Sequence, residues 1–300
     1  MKAVVFEKYG PPDVLELRDI EKPVPKDNEI LVKVYATSVT AGDWRIRKAQ
    51  PFIVRLFAGL FKPTRIKILG FELSGVVEET GKKVKSYKKG DSVFAGCGFR
   101  FGAYAEYKCL PENDLIAPKP SNMTFEEAAT VPIGGVTGLR YLNKAGLKAG
   151  QNILIYGASG SVGTFSIQLA KHFGANVTAV CSTTNLDLVK SLGADKVIDY
   201  TKEDFTKTGR QFDVVFDAVG KTSQSLCKKL LNPGGKYITV WGSSKAVPSE
   251  LLFLKDLIEA GKLKTVIDRR YKLNQIRDAH AYVETFRKKG NVSIQVLEDG

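Results

Sequence analysis

The sequence is poor in residues that bind metals or form disulfides. Its 300 residues include two histidines and four cysteines, the latter at Cys97, Cys109, Cys181 and Cys227. The spacing of these cysteines fits neither a metal site nor a disulfide framework, which favours a reducing compartment. The sequence therefore predicts no structural metal.

The N-terminus, MKAVVFEKYGPP, lacks the apolar block of a signal peptide and the Arg and Ser bias of a transit peptide. A cytoplasmic protein is the expectation. Acidic residues are also scarce, because 45 Lys and Arg oppose 32 Asp and Glu, and the resulting net charge of +13 attracts anions. Three hundred residues exceed one ordinary core, so two domains are expected.

A basic cluster lies in the turn-rich stretch GKKVKSYKKGD, at Lys82, Lys83, Lys85, Lys88 and Lys89. The simplest interpretation is a solvated loop between two strands. Nucleic acid is not the expected partner of this cluster, because no RNA-binding or DNA-binding motif accompanies it.

The most informative segment is NILIYGASGSVG, residues 152–163, in which an apolar run meets three glycines spaced three apart. Gly157, Gly160 and Gly163 lack the side chains that would hold a pyrophosphate away from a helix N-terminus. A helical pattern, TFSIQLAKHFG, and a strand pattern from Asn176 to Cys181 follow. Together they form a βαβ unit, which predicts dinucleotide binding.

The hydrophobic period changes along the chain and indicates where the domains lie. Up to about residue 117, short strands alternate with Gly and Pro, which suggests a small β-barrel-like domain. These strands are Ala3–Phe6, Val14–Leu17, Ile30–Ala36, Gly75–Glu79, Ser92–Ala95 and Ala103–Cys109. From Thr124, which with Glu127 can form a capping box, helices and strands alternate as in a parallel sheet covered on both faces. These elements include the helix Leu186–Ser191 and the strands Lys196–Asp199 and Phe212–Asp217. Strand-like residues return at Lys264–Arg270 and Val292–Leu297.

Several blocks in order resemble the medium-chain dehydrogenase/reductase superfamily, specifically its zinc-free quinone oxidoreductase branch, to which zeta-crystallin belongs. They include MKAVVFEKYGPPDVLEL, LGFELSGVV, VPIGGVTGLRYL, YGASGSVG, LGADKVIDY, FDVVFDAVG and NPGGKYITV. The resemblance implies an α/β protein with a discontinuous GroES-like β-rich catalytic domain, residues 1–120 and 264–300. It also implies a Rossmann NADP-binding domain, residues 121–263, with a doubly wound parallel sheet, and a nicotinamide held between the domains.

Three positions that carry zinc ligands in the zinc-dependent relatives have other residues in this chain. They are occupied by Thr40, Phe71 and Ile133. Zn²⁺ requires thiolate, imidazole or carboxylate donors. Asp43 and Glu72 remain, but two carboxylates without imidazole or thiolate make a poor zinc site. A zinc alcohol dehydrogenase is therefore not expected.

The end of the second strand of the βαβ unit reads AVCSTTN, without the Asp or Glu that holds the adenosine ribose in NAD enzymes. Hydroxyls and an amide can donate to a 2′-phosphate, so NADPH is the expected cofactor. With the roles implied by the resemblance included, the predicted cofactor-binding residues are Thr137, Gly157, Ala158, Ser159, Gly160, Ser161, Val162, Gly163, Ser182, Thr183, Asn185, Tyr200, Val219 and Gly242.

The expected reaction is zinc-independent hydride transfer from NADPH to quinones or α,β-unsaturated carbonyl compounds. Thr40, Asp43 and Trp44 are predicted to line the substrate cleft and to orient the substrate, and no proton donor is assigned. One alternative is an NADPH-binding, zeta-crystallin-like protein that contacts RNA and turns over little. Another is a regulatory or structural homologue without a substrate.

Residues 51–67, PFIVRLFAGLFKPTRIK, place most of their large apolar side chains on one face of a predicted helix. We expect this face to be buried, either over a hydrophobic substrate cleft beside Trp44 or in the core. Contact with a membrane surface is a third possibility, although no membrane partner is expected.

Only eight residues, SSKAVPSE, separate Gly242 from Leu251, where relatives carry an additional helix and strand. A parallel crossover needs about ten to twelve residues or more. The sixth strand of the sheet is therefore expected to be missing. Relatives form a dimer through this strand, so the same dimer is not expected for this protein.

Overall fold

The computed structural model describes residues 1–241 and 246–298, which form two compact units. The first unit contains residues 1–133, 247–255 and 267–300, and the second contains residues 134–246 and 256–266. Each unit is thus assembled from separate stretches of the chain.

Short strands dominate the first half of the chain, and helices alternate with strands in the second. The first half contains β1 Lys2–Val5, β2 Glu16–Asp19, β3 Glu29–Ser38, α1 Ala41–Lys48, α2 Val54–Ala58, β4 Glu72–Thr80, β5 Ser92–Gly96, β6 Tyr107–Pro111, β7 Leu115–Pro118, α3 Phe125–Ala128 and α4 Pro132–Ala145. The second half contains β8 Asn152–Tyr156, α5 Ser161–His172, β9 Asn176–Cys181, α6 Leu186–Ser191, β10 Lys196–Asp199, β11 Phe212–Asp217, α7 Gln224–Cys227, β12 Leu231–Thr239, α8 Pro248–Glu259, β13 Ile267–Lys272, α9 Ile276–Glu284 and β14 Asn291–Gln295.

A mostly antiparallel sheet forms the first unit. Its strand order is β13-β14-β3-β4-β5-β7, with β6 also paired to β3, and β1 pairs with β2 in a separate sheet. The long strand β3 is central because it is apolar at every second position, and Ile30, Val32 and Val34 enter one buried cluster. The C-terminal strands β13 and β14 join this sheet, so the first unit is closed by the end of the chain.

Four of the predicted strands in this unit are wrong by two or more residues at their starts, and two of these, those predicted from Gly75 and Lys264, begin at Glu72 and Ile267. The other two differ for a visible reason. Val14 lies in a short 3₁₀ turn that begins at Pro12, because proline fixes the backbone for a helical turn. The predicted strand Ala103–Cys109 begins only at Tyr107. Residues 103–106 instead cross to the N-terminus, where Ala105 forms an isolated bridge with Ala3.

The second unit is built on a parallel sheet. Its strand order is β10-β9-β8-β11-β12, and each neighbouring pair is parallel. The order reverses between β8 and β11, and in sheets of this kind ligands bind beyond the carboxyl ends of the strands at such a point. The predicted bounds of β9, β10, β11 and α6 are confirmed. Within residues 1–241 and 246–298 the sheet has five strands, and β12 lies at its edge.

The predicted apolar helix in residues 51–67 is wrong in length and in burial. Only Val54–Ala58 is helical, and Val54 and Ala58, four residues apart, are the side chains that reach the core. The helix ends because Gly59 has φ +131°, where any side chain would collide with the carbonyl of Lys62. Beyond the helix Ile66 also enters the core, whereas six large apolar side chains of the segment are exposed: Phe52, Ile53, Leu56, Phe57, Leu60 and Phe61. In the described residues, no helix combines the length and the apolar character needed to cross a bilayer.

Candidate active site

The glycine turn between β8 and α5 has the geometry that brings backbone close to a ligand. Gly157 has φ +74°, and a side chain there would lie 2.5 Å from a methyl group of Val219. At Gly163 an added methyl group would lie 2.6 Å from the carbonyl oxygen of Ala158. Both glycines are therefore required by the packing of the turn itself.

Gly160 differs from the other two glycines. It has ordinary extended angles, φ −81° and ψ 179°, and the nearest atom to an added methyl group is 3.4 Å away. Gly160 is the N-cap of α5, and no side chain caps this helix. An uncapped helix N-terminus exposes amide donors and carries partial positive charge, which together bind phosphate groups. The turn therefore fits the pyrophosphate of a dinucleotide.

Ser159, Ser182 and Asn185 are joined at the end of β9. The amide nitrogen of Asn185 donates to Oγ of Ser159 at 3.0 Å and to Oγ of Ser182 at 3.2 Å. Its amide oxygen is buried and has no hydrogen-bond partner in the described residues. A buried acceptor without a donor is costly, and a ligand hydroxyl at this place would satisfy it. The structure thus brings these three predicted cofactor residues together.

The polar groups at the carboxyl ends of β9 and β10 form what we call the rim. Asp199, which the sequence patterns did not single out, holds the part of the rim at the end of β10. The hydroxyls of Thr183 and Thr201 both donate to its carboxylate, and these bonds, Thr183 first, lower the pKa of Asp199. The hydroxyl proton of Thr183 is therefore already engaged in a hydrogen bond to Asp199. Tyr200, half exposed, stands beside them with its ring 6.3 Å from that of Tyr156. The acidic residue at the end of β10 was the available sequence signal.

Asp217, at the end of β11, is a second residue that sequence reasoning missed. Its buried carboxylate accepts from the amides of Val219, Gly220 and Thr222 at 3.1, 2.8 and 2.6 Å. These bonds hold Val219 against Gly157.

One predicted cofactor residue is not joined to the turn, and another lies outside the described residues. Thr137 lies half buried on α4, and within the described residues no hydrogen bond joins it to the glycine turn. Gly242 lies outside the described residues. The roles of both residues stay predictions.

The predicted substrate residues lie at the start of α1. Thr40 is the N-cap of this helix, and its backbone nitrogen and hydroxyl both donate to the carboxylate of Asp43, at 2.8 and 2.7 Å. The amide of Gly70 also donates to Asp43, at 2.8 Å. Complete burial nevertheless raises the pKa of Asp43 to about 6. The buried carboxylate of Asp43 therefore holds Thr40 at the start of α1 and ties it to Gly70.

Trp44 is only 8% exposed and belongs to the apolar core of the first unit. Its ring packs edge-on against Phe286 at 5.6 Å. Thr40 is partly exposed, so of the three predicted cleft residues it is the one with an accessible side chain.

The three positions at which related enzymes hold zinc do not fit the metal. The hydroxyl of Thr40 is bonded to Asp43, and the ring of Phe71 lies so close to Gly42 that an added methyl group would be 2.6 Å from it. Ile133 contributes its backbone amide, which donates to Glu72 at 2.7 Å. Burial raises the pKa of Glu72 to about 7 although Ser38 also donates to it. No group of three or more His, Cys, Asp or Glu suited to a metal is found in the described residues.

Comparisons with known proteins agree with this geometry. The family described as alcohol dehydrogenase GroES-like domain matches residues 26–121, and the family described as zinc-binding dehydrogenase matches residues 161–284. The chain is 37% identical to a 2-methylene-furan-3-one reductase of Solanum lycopersicum, over 99% of its own length and 79% of the relative. It is 36% identical to an NADPH-dependent alkenal/one oxidoreductase of Arabidopsis thaliana, over 98% of its length and 79% of the relative.

The fold is similar to that of a solved quinone oxidoreductase from Coxiella burnetii. The TM-score is 0.87 with 30% identity, and the match covers 99% of each chain. The predicted combination of a GroES-like domain and a Rossmann-type sheet is thereby confirmed. The residues at the zinc positions, the glycine turn and these likenesses lead to one conclusion: the chain belongs to the zinc-free quinone oxidoreductase branch of the medium-chain dehydrogenase/reductase superfamily.

Proposed function

We propose that this protein is a zinc-independent, NADPH-dependent reductase of quinones or α,β-unsaturated carbonyl compounds. The observation that supports it most directly is the uncapped N-terminus of α5 beside a rim of hydroxyl and amide groups at the end of β9. The relatives described above are named for reduction of alkenals, a furanone and quinones, and one of them for its dependence on NADPH.

The chain's own residues would hold the cofactor at two places. The start of α5 receives the pyrophosphate, since no side chain caps the amides of its first turn. Gly157 and Gly160 contribute by lacking side chains, because their own N–H groups already donate to the carbonyls of Val180 and Gly157. Ser182 faces the 2′-phosphate, because its hydroxyl accepts from Asn185 and its own proton has no shorter contact than the 3.4 Å to the hydroxyl of Thr184. Asn185 itself offers the buried acceptor to a ribose hydroxyl.

When bound, NADPH supplies a hydride that adds to a quinone or to the β-carbon of an enone. The protein's contribution is then proximity, orientation and exclusion of water. Thr40 borders the substrate, Asp43 fixes the helix start that carries Thr40, and Trp44 supports it from the core. Oxidation of simple alcohols is disfavoured, because Thr40, Phe71 and Ile133 supply no ligand set for a Lewis acid.

A substrate panel tests the proposal. NADPH oxidation should proceed with quinones, 2-alkenals and enones, and simple alcohols should not reduce NADP⁺. Gly160→Ala should weaken NADPH binding while the protein stays folded, because the backbone tolerates the methyl group and the phosphate does not.

Gly209→Ala is the matched control. Gly209 has φ +66° and no neighbour within 4 Å of an added methyl group, so this change strains the backbone by about 1–2 kcal/mol without touching the turn. It should lower stability and leave cofactor affinity intact. Equal NADPH affinity of Gly160→Ala and the parent protein would contradict the assigned turn.

We propose further that the protein acts in the cytoplasm and does not form the edge-paired dimer of its relatives. The short link between β12 and α8 is the reason for the second point. Its residues 242–245 lie outside the described part of the chain.

A further inference from the structure

Seven large apolar side chains cluster on the surface of the first unit. We call them the apolar patch: Phe52, Ile53, Leu56, Phe57, Leu60, Phe61 and Phe99, which are between 41% and 87% exposed. The rings of Phe57 and Phe99 lie 6.4 Å apart, which joins the loop around residue 99 to the segment around α2. Large exposed apolar patches are rare on monomeric proteins and usually mark an interaction site.

The segment that carries six of the seven patch residues has charges of one sign, and beside Phe99 the charge of Arg100 is balanced by Asp114. Residues 44–71 contain seven Arg and Lys and no Asp or Glu. Arg47 and Lys48 are paired with Glu284. Arg55, Lys62, Arg65 and Lys67 form no ion pair with any carboxylate of the described residues, and the last three are exposed.

Arg55 and Arg65 are held at the patch by its own residues. The guanidinium of Arg55 lies 5.6 Å from the ring of Phe52 and donates to the carbonyl of Leu60 at 3.2 Å. Arg65 donates to the carbonyl of Phe57 at 3.5 Å. Cationic groups and protruding apolar groups therefore share one surface.

We propose that the apolar patch docks this protein peripherally onto an anionic lipid bilayer. Phenylalanine, isoleucine and leucine side chains enter the boundary between headgroups and acyl chains, while nearby cations attract acidic headgroups. A bilayer satisfies both parts of the surface at once. The docked protein would also meet apolar carbonyl compounds where they concentrate, although the proposal does not depend on the proposed reductase activity.

Two other occupants fit the patch less well. In a two-fold dimer through this face, each cation would approach the same cations of the second copy, which is repulsive. Single-stranded nucleic acid would stack on the phenylalanine rings. Ile53, Leu56 and Leu60 offer no such stacking, and nucleic acid would leave them in water.

Co-sedimentation of the full chain with vesicles tests the proposal, without cofactor or substrate, so that its result is separate from that of the reductase assay. The protein should bind vesicles of phosphatidylcholine and phosphatidylserine, bind pure phosphatidylcholine weakly, and dissociate as ionic strength rises. Lys62→Gln with Lys67→Gln should lower the partition coefficient about 25-fold, at about fivefold per cation. Phe52→Ser with Phe61→Ser should lower it at least about 100-fold.

Matched controls lie elsewhere on the same unit. Lys88→Gln with Lys89→Gln removes the same charge from the loop around residue 88, and Val24→Ser removes an apolar side chain that is 81% exposed. Both should retain binding. Circular dichroism and thermal unfolding establish that each variant is folded.

Three outcomes would overturn the proposal. The first is vesicle binding that the folded patch variants retain in full. The second is the absence of binding to acidic vesicles at low salt. The third is binding of single-stranded RNA or formation of a dimer that is lost in the patch variants while vesicle binding is not detected.

Discussion

Ser182 should decide the choice between NADPH and NADH. Asn185 donates one proton to Ser182 and another to Ser159, and the Thr183 proton goes to Asp199. The Ser182 hydroxyl has one further contact, a long one of 3.4 Å to the hydroxyl of Thr184 in which either group can donate, so its proton can turn to a 2′-phosphate. Hydrogen bonds to charged groups contribute about 1.5–3 kcal/mol. Ser182→Ala should therefore weaken NADPH binding roughly 10- to 150-fold and leave NADH binding nearly unchanged.

Calorimetric titration of both cofactors with each variant measures the ratio of the two dissociation constants. Thr183→Val is the matched control, because its hydroxyl is already bound to Asp199 and its loss should barely alter the ratio. Ser182→Asp should reverse the preference, since a carboxylate repels the phosphate and accepts from a ribose hydroxyl. An unchanged ratio in Ser182→Ala, or a ratio abolished by Thr183→Val, would refute this reasoning.

Three further predictions concern stability, the substrate region and assembly. Burial raises the pKa of Glu72 from 4.5 to about 7, so between these pH values the folded state binds a proton that the unfolded state has released. The free energy of unfolding should therefore fall as pH rises through this range, by up to about 1.4 kcal/mol per pH unit. Urea unfolding should show this slope and Glu72→Gln should flatten it; equal slopes would contradict the assignment. Trp44→Ala should cost about 3–5 kcal/mol of stability, because the ring is in the core. It should also alter turnover with at least one quinone or enone, and unchanged kinetics with every substrate would exclude a role at the cleft. Sedimentation should show no dimer that depends on the β12 edge, and a dimer abolished by proline substitution in β12 would disprove this.

Local sequence patterns were sufficient to predict much of the second unit. β9, β10 and β11 were predicted with their observed bounds because buried parallel strands are continuous apolar runs between turn signals. The glycine turn was equally predictable, since its spacing is part of its function.

Contacts between distant residues could not be read from the same patterns. Asp199 and Asp217 lie at strand ends, as many acidic residues do. Only the fold shows that Asp199 accepts the hydroxyl proton of Thr183 and that Asp217 accepts from the amide of Val219. Residues 51–67 show the opposite failure. Their apolar spacing predicted burial, but the helix stops at Gly59, and of the segment's apolar side chains only Val54, Ala58 and Ile66 belong to the buried core cluster.

The residues at the three zinc positions, including Phe71, whose ring packs against Gly42, make it difficult for a metal site to evolve again. Return of a metal would require several changes together, because an imidazole at 71, a thiolate at 40 and a third donor at 133 achieve little one at a time. A cysteine at 40 would also sacrifice the helix cap shared with Asp43, at a cost of about 0.5–2 kcal/mol. A single substitution would therefore bring no metal binding, and at position 40 it would lower stability. Regaining the metal site requires several substitutions at once.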